Sequence, residues 1–268
     1  MFDADAGARG AASSRDGIGL PRDLERRPVV VVLHQLHSNA GHIGQWLRAR
    51  GYALDVRRPR FGDPLPDTLE HHAGAIIFGG PMSANDAQDF VKVETEWVGV
   101  ALRENKPFLG VCLGAQMMAN YLGAPVYGHP DKLVEIGYHP IRPRSCALRF
   151  GSWPERVYQW HREGFELPHS ATILAVSEGP FANQAYAYGT AVGVQFHPEI
   201  TYAMVSRWSA RNSQLLAQRG AQDRPAQLAD HIVHGPVVRR WLDSFLSRWI
   251  SEPAGQSVQP CVMPRHAE

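Results

Sequence analysis

Apolar strand segments alternate with segments of helical periodicity along the first half of the chain. The first is Val29–Leu33, with the sequence VVVVL. Strands that are apolar at every residue are typical of parallel sheets, in which helices cover both faces. Three more predicted strands follow, each before or after a helical segment: YALDVRRP from Tyr52, AGAIIFGG (Ala73–Gly80) and PFLGVCLG (Pro107–Gly114). This alternation predicts an α/β fold, a three-layer sandwich with a mostly parallel central sheet.

The second half of the chain has a different pattern. Between residues 125 and 196 the predicted strands are shorter and are separated by turn residues. We expect them to be antiparallel or edge strands of the same sheet, without a second domain. Helices are predicted at Val205–Leu216 and His231–Ile250. The second helix has an apolar stripe made of Val237, Trp241, Leu242, Phe245, Leu246 and Trp249.

The predicted domain extends from residue 28 to residue 251. It lies between a disordered N-terminal arm, residues 1–27, and a Pro-containing C-terminal tail, residues 252–268, that we also expect to be disordered. The arm has no apolar core of the kind found in a signal peptide. We therefore expect a cytoplasmic protein.

Composition argues against several classes of function. Lys and Arg total 27 and Asp and Glu total 26, so a formal charge of +1 provides no general attraction to nucleic acid or an anionic membrane. We expect neither partner. The cysteines Cys112, Cys146 and Cys261 are far apart, which argues against a disulfide framework and against a zinc site. We expect no metal and no cofactor.

Cys112 lies where a predicted strand runs into a helix, with Gly110 two residues before it and Gly114 two residues after it. Ligands of open α/β sheets bind beyond the carboxyl ends of the strands. The spacing predicts a nucleophile elbow, a strained turn at which larger flanking residues would collide with the strand and the helix. The helix N-terminus also favours the thiolate. Cys112 is thus a candidate nucleophile, and an inert buried cysteine is the alternative.

His197 and Glu199 can supply the base and the orienting acceptor that a cysteine nucleophile needs. They follow the predicted strand AVGVQF and are two residues apart. Such residues point to the same side of an extended chain, and Pro198 stiffens the turn between them. The alternative is a structural histidine beside a surface glutamate.

Attack on an amide also requires two preorganised N–H donors for the oxyanion. The amide of Leu113, directly after Cys112, is one candidate. The other lies in the turn Gly79–Ser83, where glycines allow the backbone to approach a ligand closely. An ordinary left-handed turn is the alternative there.

In order and spacing, three segments resemble the class I glutamine amidotransferase domain with its Cys-His-Glu triad: FGGPMSAND (Phe78–Asp86), GVCLGAQ (Gly110–Gln116) and GVQFHPE (Gly193–Glu199). The resemblance extends over about residues 29–250. Further segments, FGDPLPD, EIGYHPI, VYQWHREGFELP and NQAYAYG, resemble the stand-alone GMP-synthase-like branch, to which plant γ-glutamyl peptidases are related. The resemblance implies a flavodoxin-like class I amidotransferase fold.

The resemblance further implies hydrolysis of the γ-amide of glutamine or of another γ-glutamyl compound. Cys112 would attack the carboxamide carbon, and the amides of Gly80 and Leu113 would hold the oxyanion. His197 would pass the thiol proton to the departing ammonia, and Glu199 would orient the imidazole. Water would then hydrolyse a γ-glutamyl thioester.

By the same resemblance, Gln116, Trp160 and His161 would contact the substrate. Backbone groups of Trp160–Glu163 would meet its α-amino and α-carboxylate ends. Relatives often have His-Gly-Asp or His-Gly-Asn where this chain has His161-Arg162-Glu163. This difference leaves open a contact between the charged side chain of Arg162 and a larger substrate.

The sequence has neither a GxxxxGK(S/T) motif nor an SGGxDS-like pyrophosphatase loop with which to activate an acceptor by ATP. We therefore expect any ammonia to pass to a separate synthetase. Two alternatives stay open. One is a γ-glutamyl peptidase acting on γ-glutamyl peptides or conjugates, and the other is a non-catalytic binding module that retains the fold.

Overall fold

The computed structural model describes residues 26–251, so the predicted disorder of residues 1–25 and 252–268 lies outside the described residues. The elements are, in chain order, β1 (Arg26–Val32), α1 (Gly41–Ala49), β2 (Tyr52–Arg57), β3 (Gly74–Ile77), α2 (Asp89–Arg103), β4 (Phe108–Val111), α3 (Leu113–Tyr121), β5 (Val126–Gly128), β6 (Glu135–Pro140), β7 (Arg142–Pro143), β8 (Arg156–His161), β9 (Glu163–Phe165), β10 (Thr172–Val176), β11 (Asn183–Tyr188), β12 (Ala191–Val194), α4 (Tyr202–Arg211), α5 (Ser213–Leu216) and α6 (Arg224–Ser251). β1 already pairs with β2 at Arg26, two residues before the predicted start of ordered structure at Pro28.

A central eight-stranded sheet has the order β2-β1-β3-β4-β12-β11-β10-β7. The strands from β2 to β12 in this order run parallel, and β11, β10 and β7 continue the sheet antiparallel. Val29–Val32 of β1 are completely buried, as their apolar sequence predicts. The predicted α/β class with a mostly parallel central sheet is confirmed.

Alternate residues of β1 point into two hydrophobic cores, one on each face of the sheet. Val29 and Val31 pack with residues of α1 and α6, including Trp46 and Trp241. Val30 and Val32 pack with residues of α2 and α3. These helices form the outer layers of the predicted three-layer arrangement. None of the helices within residues 26–251 is long and apolar enough to cross a membrane.

The prediction for the second half of the chain is partly wrong. β7, β10 and β11 do extend the central sheet, but β5 pairs with β9 and β6 pairs with β8 in separate two-stranded sheets. The β6–β8 pair lies apart from the central sheet because it is bound to α6. The hydroxyls of Tyr138 in β6 and Tyr158 in β8 form hydrogen bonds of 2.7 Å with His231 and Gln227 of this helix. This helix therefore holds the β6–β8 pair. β12 lies inside the central sheet, between β4 and β11, and runs parallel to β4. All four of its residues are buried, as expected for an inner strand.

The predicted apolar stripe of α6 is off by one residue at its first position. Val238 is 3% exposed and packs in the core, whereas Val237 is 40% exposed. Val238, Trp241 and Phe245 follow the 3- and 4-residue spacing of one helix face, which excludes Val237. α6 also begins earlier than predicted, at Arg224. The helix predicted at Val205–Leu216 is two helices, α4 and α5, separated by Asn212.

Candidate active site

Cys112 stands in a strained turn between β4 and α3. Its φ of 52° and ψ of −104° lie outside the regions that non-glycine residues normally occupy. The backbone N–H of Cys112 donates to the carbonyl of Val194 at 2.8 Å, which ties the turn to β12. A Cβ on Gly110 would lie 2.6 Å from the nitrogen of Ala115, and one on Gly114 would collide with the carbonyl oxygen of Ile77. The flanking glycines thus have the steric role expected at a nucleophile elbow.

His197 and Glu199 are paired directly after β12. Nδ1 of His197 lies 2.8 Å from Oε1 of Glu199, and each side chain is only 4% exposed. The N–H of His197 donates to the carbonyl of Tyr158 at 2.9 Å, so β8 fixes the backbone of the histidine. The other ring nitrogen, Nε2, has no hydrogen-bond partner within residues 26–251.

The charge on His197 depends on Cys112 as well as on Glu199. Burial alone would lower the pKa of His197, but the negative charges of Glu199 and Cys112 outweigh it and raise this pKa to about 10. The two side chains meet at Gly79, where an added Cβ would lie 2.6 Å from Cε1 of His197 and 3.4 Å from Cβ of Cys112. The arrangement favours a protonated imidazole at His197 beside Cys112.

A cavity of about 320 Å³ lies over the carboxyl ends of β1, β3, β4 and β12. It brings together all the residues predicted for the site: Gly80, Cys112, Leu113, Gln116, Trp160, His161, His197 and Glu199. This position agrees with the general rule for ligand sites in open α/β sheets. Within residues 26–251, no group of three His, Cys, Asp or Glu side chains is arranged to hold a metal ion.

The model of the family described as glutamine amidotransferase class-I matches residues 32–205. The chain belongs to this family. Class I amidotransferase membership agrees with the resemblance predicted from the sequence and makes the chain, in general terms, an amidotransferase enzyme.

Relatives and solved structures agree with this membership. The chain is 33% identical to the glutamine amidotransferase-like protein YfeJ of Salmonella typhimurium over 198 residues, which cover 69% of this chain and 81% of YfeJ. It is 28% identical to the glutamine-hydrolyzing GMP synthase of Aeropyrum pernix over 77% of its own length but only 40% of the synthase. The crystal structure of a glutamine amidotransferase from Thermotoga maritima matches with a TM-score of 0.77 and 31% identity, covering 84% of this chain and 98% of that one. A glutamine amidotransferase from Methylobacillus flagellatus has a TM-score of 0.79 and 29% identity, with coverages of 91% and 100%.

Three predicted substrate contacts of this amidotransferase have additional roles inside the protein. Nε2 of Gln116 donates to the carbonyl of Glu163 at 2.8 Å, and Nδ1 of His161 donates to the same oxygen at 3.0 Å. Nε2 of His161 lies 3.1 Å from Oε2 of Glu135. The ring of Trp160 packs at 5.7 Å from that of Trp208. Gln116 and His161 therefore position the Arg162–Glu163 backbone at the cavity wall.

Sequence reasoning missed several buried polar residues around the amidotransferase site. Nε2 of Gln195 donates to Sγ of Cys112 at 3.7 Å, and Gln195 lies in the GVQFHPE segment. His34 contacts the backbone of Gly79 and is paired with the buried Glu94. The signals were present, since His34 directly follows the apolar segment of the first strand and Glu94 interrupts the apolar stripe of a helix.

Proposed function

We propose that the protein hydrolyses the γ-amide of glutamine, or of another γ-glutamyl compound, through Cys112, His197 and Glu199. The observation that carries this proposal is the convergence of these residues in one cavity. Cys112 occupies the strained turn, and His197 is held 2.8 Å from Glu199 with its second ring nitrogen unengaged within the described residues.

In the acylation half of the reaction, the Cys112 thiolate attacks the amide carbon and forms an S–C bond. The carbonyl π electrons move onto oxygen. When this oxyanion collapses, the C–N bond breaks and His197 gives its proton to the nitrogen, so that ammonia leaves and a γ-glutamyl thioester remains. The raised pKa of His197 supports this role, because it keeps the imidazole protonated at neutral pH.

In the deacylation half, His197 takes a proton from water as the water oxygen attacks the thioester carbon. The C–S bond then breaks, glutamate leaves and the Cys112 thiolate is restored. Glu199 accepts a hydrogen bond from Nδ1 of His197 throughout and stabilises the imidazolium. No external oxidant or cofactor is needed in either half.

The backbone N–H groups of Gly80 and Leu113 would hold the oxyanion. Leu113 is the first residue of α3, where N–H groups have no partner inside the helix. Gly80 lines the same cavity as Cys112. Two donors of this kind near the nucleophile are what a tetrahedral intermediate requires. The Arg162–Glu163 backbone would meet the α-amino and α-carboxylate groups of the substrate, with Gln116, Trp160 and His161 beside it.

A separate synthetase would accept the ammonia. The support for this part of the proposal is the similarity to GMP synthases described as glutamine-hydrolyzing, of which the chain spans 40% in the Aeropyrum pernix protein. Turnover that rises when a synthetase is added would identify such a partner.

A γ-glutamyl peptidase is the second candidate function, and the position of Arg162 favours it. A neighbouring cavity of about 510 Å³ shares Val134, Arg162 and Glu163 with the cavity that holds Cys112. Lys132 and Arg219 also line this second cavity. Asp131 and Glu163 line it as well, so its charge is mixed. Its space suits a substrate that is larger than glutamine and carries an anionic group able to pair with Arg162.

The deciding experiment measures glutamate and ammonia release from glutamine and from a panel of γ-glutamyl peptides. Cys112→Ala should abolish release, and Cys146→Ala, which changes a cysteine outside the cavity, should leave it near the wild-type rate. Turnover of glutamine supports the glutaminase, and turnover of peptides alone supports the peptidase. No Cys112-dependent release from any substrate, with or without cell extract, would favour the binding module.

A further inference from the structure

His34 and Glu94 form a fully buried pair that the proposed reaction does not use directly. Nε2 of His34 lies 2.7 Å from Oε2 of Glu94. His34 follows β1 and Glu94 belongs to α2, so the pair connects two elements. Neither residue lines the cavity. Any influence on the reaction must therefore pass through the groups that His34 contacts.

His34 contacts the turn that follows β3. Its Nδ1 lies 3.1 Å from the carbonyl oxygen of Gly79, and because this oxygen can only accept, Nδ1 is the donor. Cys112 and His197 contact the same turn from the cavity, since both lie within 3.5 Å of the position that a Cβ on Gly79 would take. The turn is held between the buried pair and the two reacting side chains.

The hydrogen bond from His34 determines the direction of a second group. In a trans peptide, the C=O of Gly79 and the N–H of Gly80 point in opposite directions, and residues 26–251 contain no cis peptide. With the oxygen directed at His34, the N–H of Gly80 points away from His34. This N–H has no hydrogen-bond partner within residues 26–251, and Gly80 lines the cavity beside Cys112.

The turn needs such a restraint because it consists of two glycines. A Cβ at Gly79 would lie 2.6 Å from His197, and one at Gly80 would lie 3.0 Å from both His34 and Leu113, so side chains are disfavoured at both positions. Consecutive glycines leave the peptide between them free to rotate. A rotated peptide would present a carbonyl oxygen, not an N–H group, to a developing negative charge.

We propose that His34, held by Glu94, is a positioning residue that fixes the Gly79–Gly80 peptide with the Gly80 N–H directed at the oxyanion. The inference rests on the proposed function, because it assigns a role in the same reaction. It adds two residues that do not touch the substrate and act only through the backbone of the turn.

Two polar substitutions of His34 separate the roles of its ring nitrogens. The amide nitrogen of Asn can occupy the position of Nδ1, and that of Gln the position of Nε2. His34→Asn can still donate to Gly79, and His34→Gln cannot do so from the same place. We expect His34→Gln to lower kcat for glutamine hydrolysis about 100-fold with little change in KM, and His34→Asn to retain at least about a tenth of the wild-type kcat.

A second measurement separates oxyanion stabilisation from damage to the thiol. Rapid-quench experiments would measure formation of the γ-glutamyl thioester on Cys112, and iodoacetamide would alkylate the same sulfur by a displacement that forms no oxyanion. His34→Gln should slow thioester formation and leave the alkylation rate near that of wild type. Equal loss of both rates, or equal kcat for the Asn and Gln variants, would overturn the inference.

A control and a second variant complete the test. His72→Asn removes the contact of 3.0 Å between Nε2 of His72 and Asp55, a histidine–carboxylate pair outside the cavity, and kcat should not change. If His34→Gln does not fold, Glu94→Leu removes the hydrogen-bond partner of Nε2 and should lower kcat about 10-fold, with thioester formation slowed and alkylation unchanged. A wild-type kcat in this variant would overturn the inference. If the wild-type protein forms no thioester on Cys112, the proposed function itself fails. Thioester formation that is insensitive to His34 and Glu94 contradicts only the positioning role.

Discussion

Four glycines surround Cys112: Gly79, Gly80, Gly110 and Gly114. A Cβ on any of them would meet a neighbouring heavy atom at 3.0 Å or less. The nearest atoms are backbone groups at Gly110 and Gly114, within the elbow for Gly110 and in Ile77 of β3 for Gly114, and they are side chains of the site at Gly79 and Gly80. Gly110 and Gly114 are therefore required for the fold of the turn, and Gly79 and Gly80 for the proposed reaction.

We expect Gly79→Ala to lower kcat at least about 100-fold while the protein still folds, because the new methyl group displaces the imidazole of His197 from Cys112. Activity assays and thermal melts would measure the two effects. Gly128→Ala is the matched control, since its Cβ would meet only the carbonyl of Arg162 at 3.7 Å. Full activity in Gly79→Ala would contradict the assigned contact between the turn and the histidine.

The raised pKa of His197 predicts an alkaline limit for the reaction. Burial disfavours the charged imidazole, but the Glu199 and Cys112 charges raise the pKa to about 10. In the proposed reaction the imidazolium of His197 would protonate the leaving amine. It is present through neutral pH and is lost as the pH rises through about 10. Glu199→Gln removes one of the two charges and should shift this alkaline limb to lower pH. A pH profile of kcat/KM for both proteins would measure the shift, and identical limbs would contradict the assignment.

Among the elements, the β6–β8 pair depends on a buried polar network for its position against the central sheet. Glu135 of β6 lies 3.1 Å from His161 of β8 and accepts from Gln184 of β11 at 3.0 Å. Burial alone would raise the pKa of Glu135, but hydrogen bonds and the charge of His161 lower it. The carboxylate therefore joins three strands and supports the turn that carries Arg162.

Glu135→Ala should reduce the free energy of unfolding by about 3–5 kcal/mol, because it leaves His161 and Gln184 buried without their acceptor. Urea denaturation would measure the loss. The exposed pair of Arg142 and Glu178 provides the control, since Glu178→Ala removes a carboxylate in contact with solvent and should have little effect. A loss in Glu135→Ala no larger than that in the control would show that the network does not stabilise this region.

The sequence predicted elements whose signals are local. The valines of β1 and the glycines around Cys112 indicate a buried strand and a tight turn without knowledge of their partners. The positions of β6, β8 and β12 depend on distant residues. Tyr138 and Tyr158 bind α6 through His231 and Gln227, which lie 93 and 69 residues away in the chain.

The site shows the same division between local and distant information. The three residues of the proposed triad, Cys112, His197 and Glu199, lie in two short segments with recognisable spacing, so their presence in one cavity could be predicted. Pairing of His34 with Glu94 spans 60 residues, and that of Gln195 with Cys112 spans 83. From the sequence alone, each of these polar residues could pair with many others. Its actual partner is determined by how the sheet and the helices pack.

At the scale of the whole molecule, the parallel strands direct their carboxyl ends into one cavity, and the β8–β9 turn separates it from a second. Arg162 and Glu163 line both cavities. In the proposed reaction, a γ-glutamyl group would be hydrolysed at Cys112 in the first cavity, while the rest of a larger substrate would extend past Arg162 into the second. Glutamine would occupy the first cavity alone, whereas a γ-glutamyl peptide would also contact Arg162 and the second cavity.

Arg162→Gln tests that difference without removing the side chain. We expect it to lower kcat/KM for anionic γ-glutamyl peptides about 10-fold more than for glutamine, because a charge-assisted hydrogen bond contributes more than a neutral one. Arg211 lies outside both cavities, so Arg211→Gln should change kcat/KM neither for the peptides nor for glutamine. Equal effects of Arg162→Gln on both substrates would assign the arginine to the γ-glutamyl group itself, since this part is common to them. An unchanged kcat/KM for the peptides would remove the support that Arg162 lends to the peptidase.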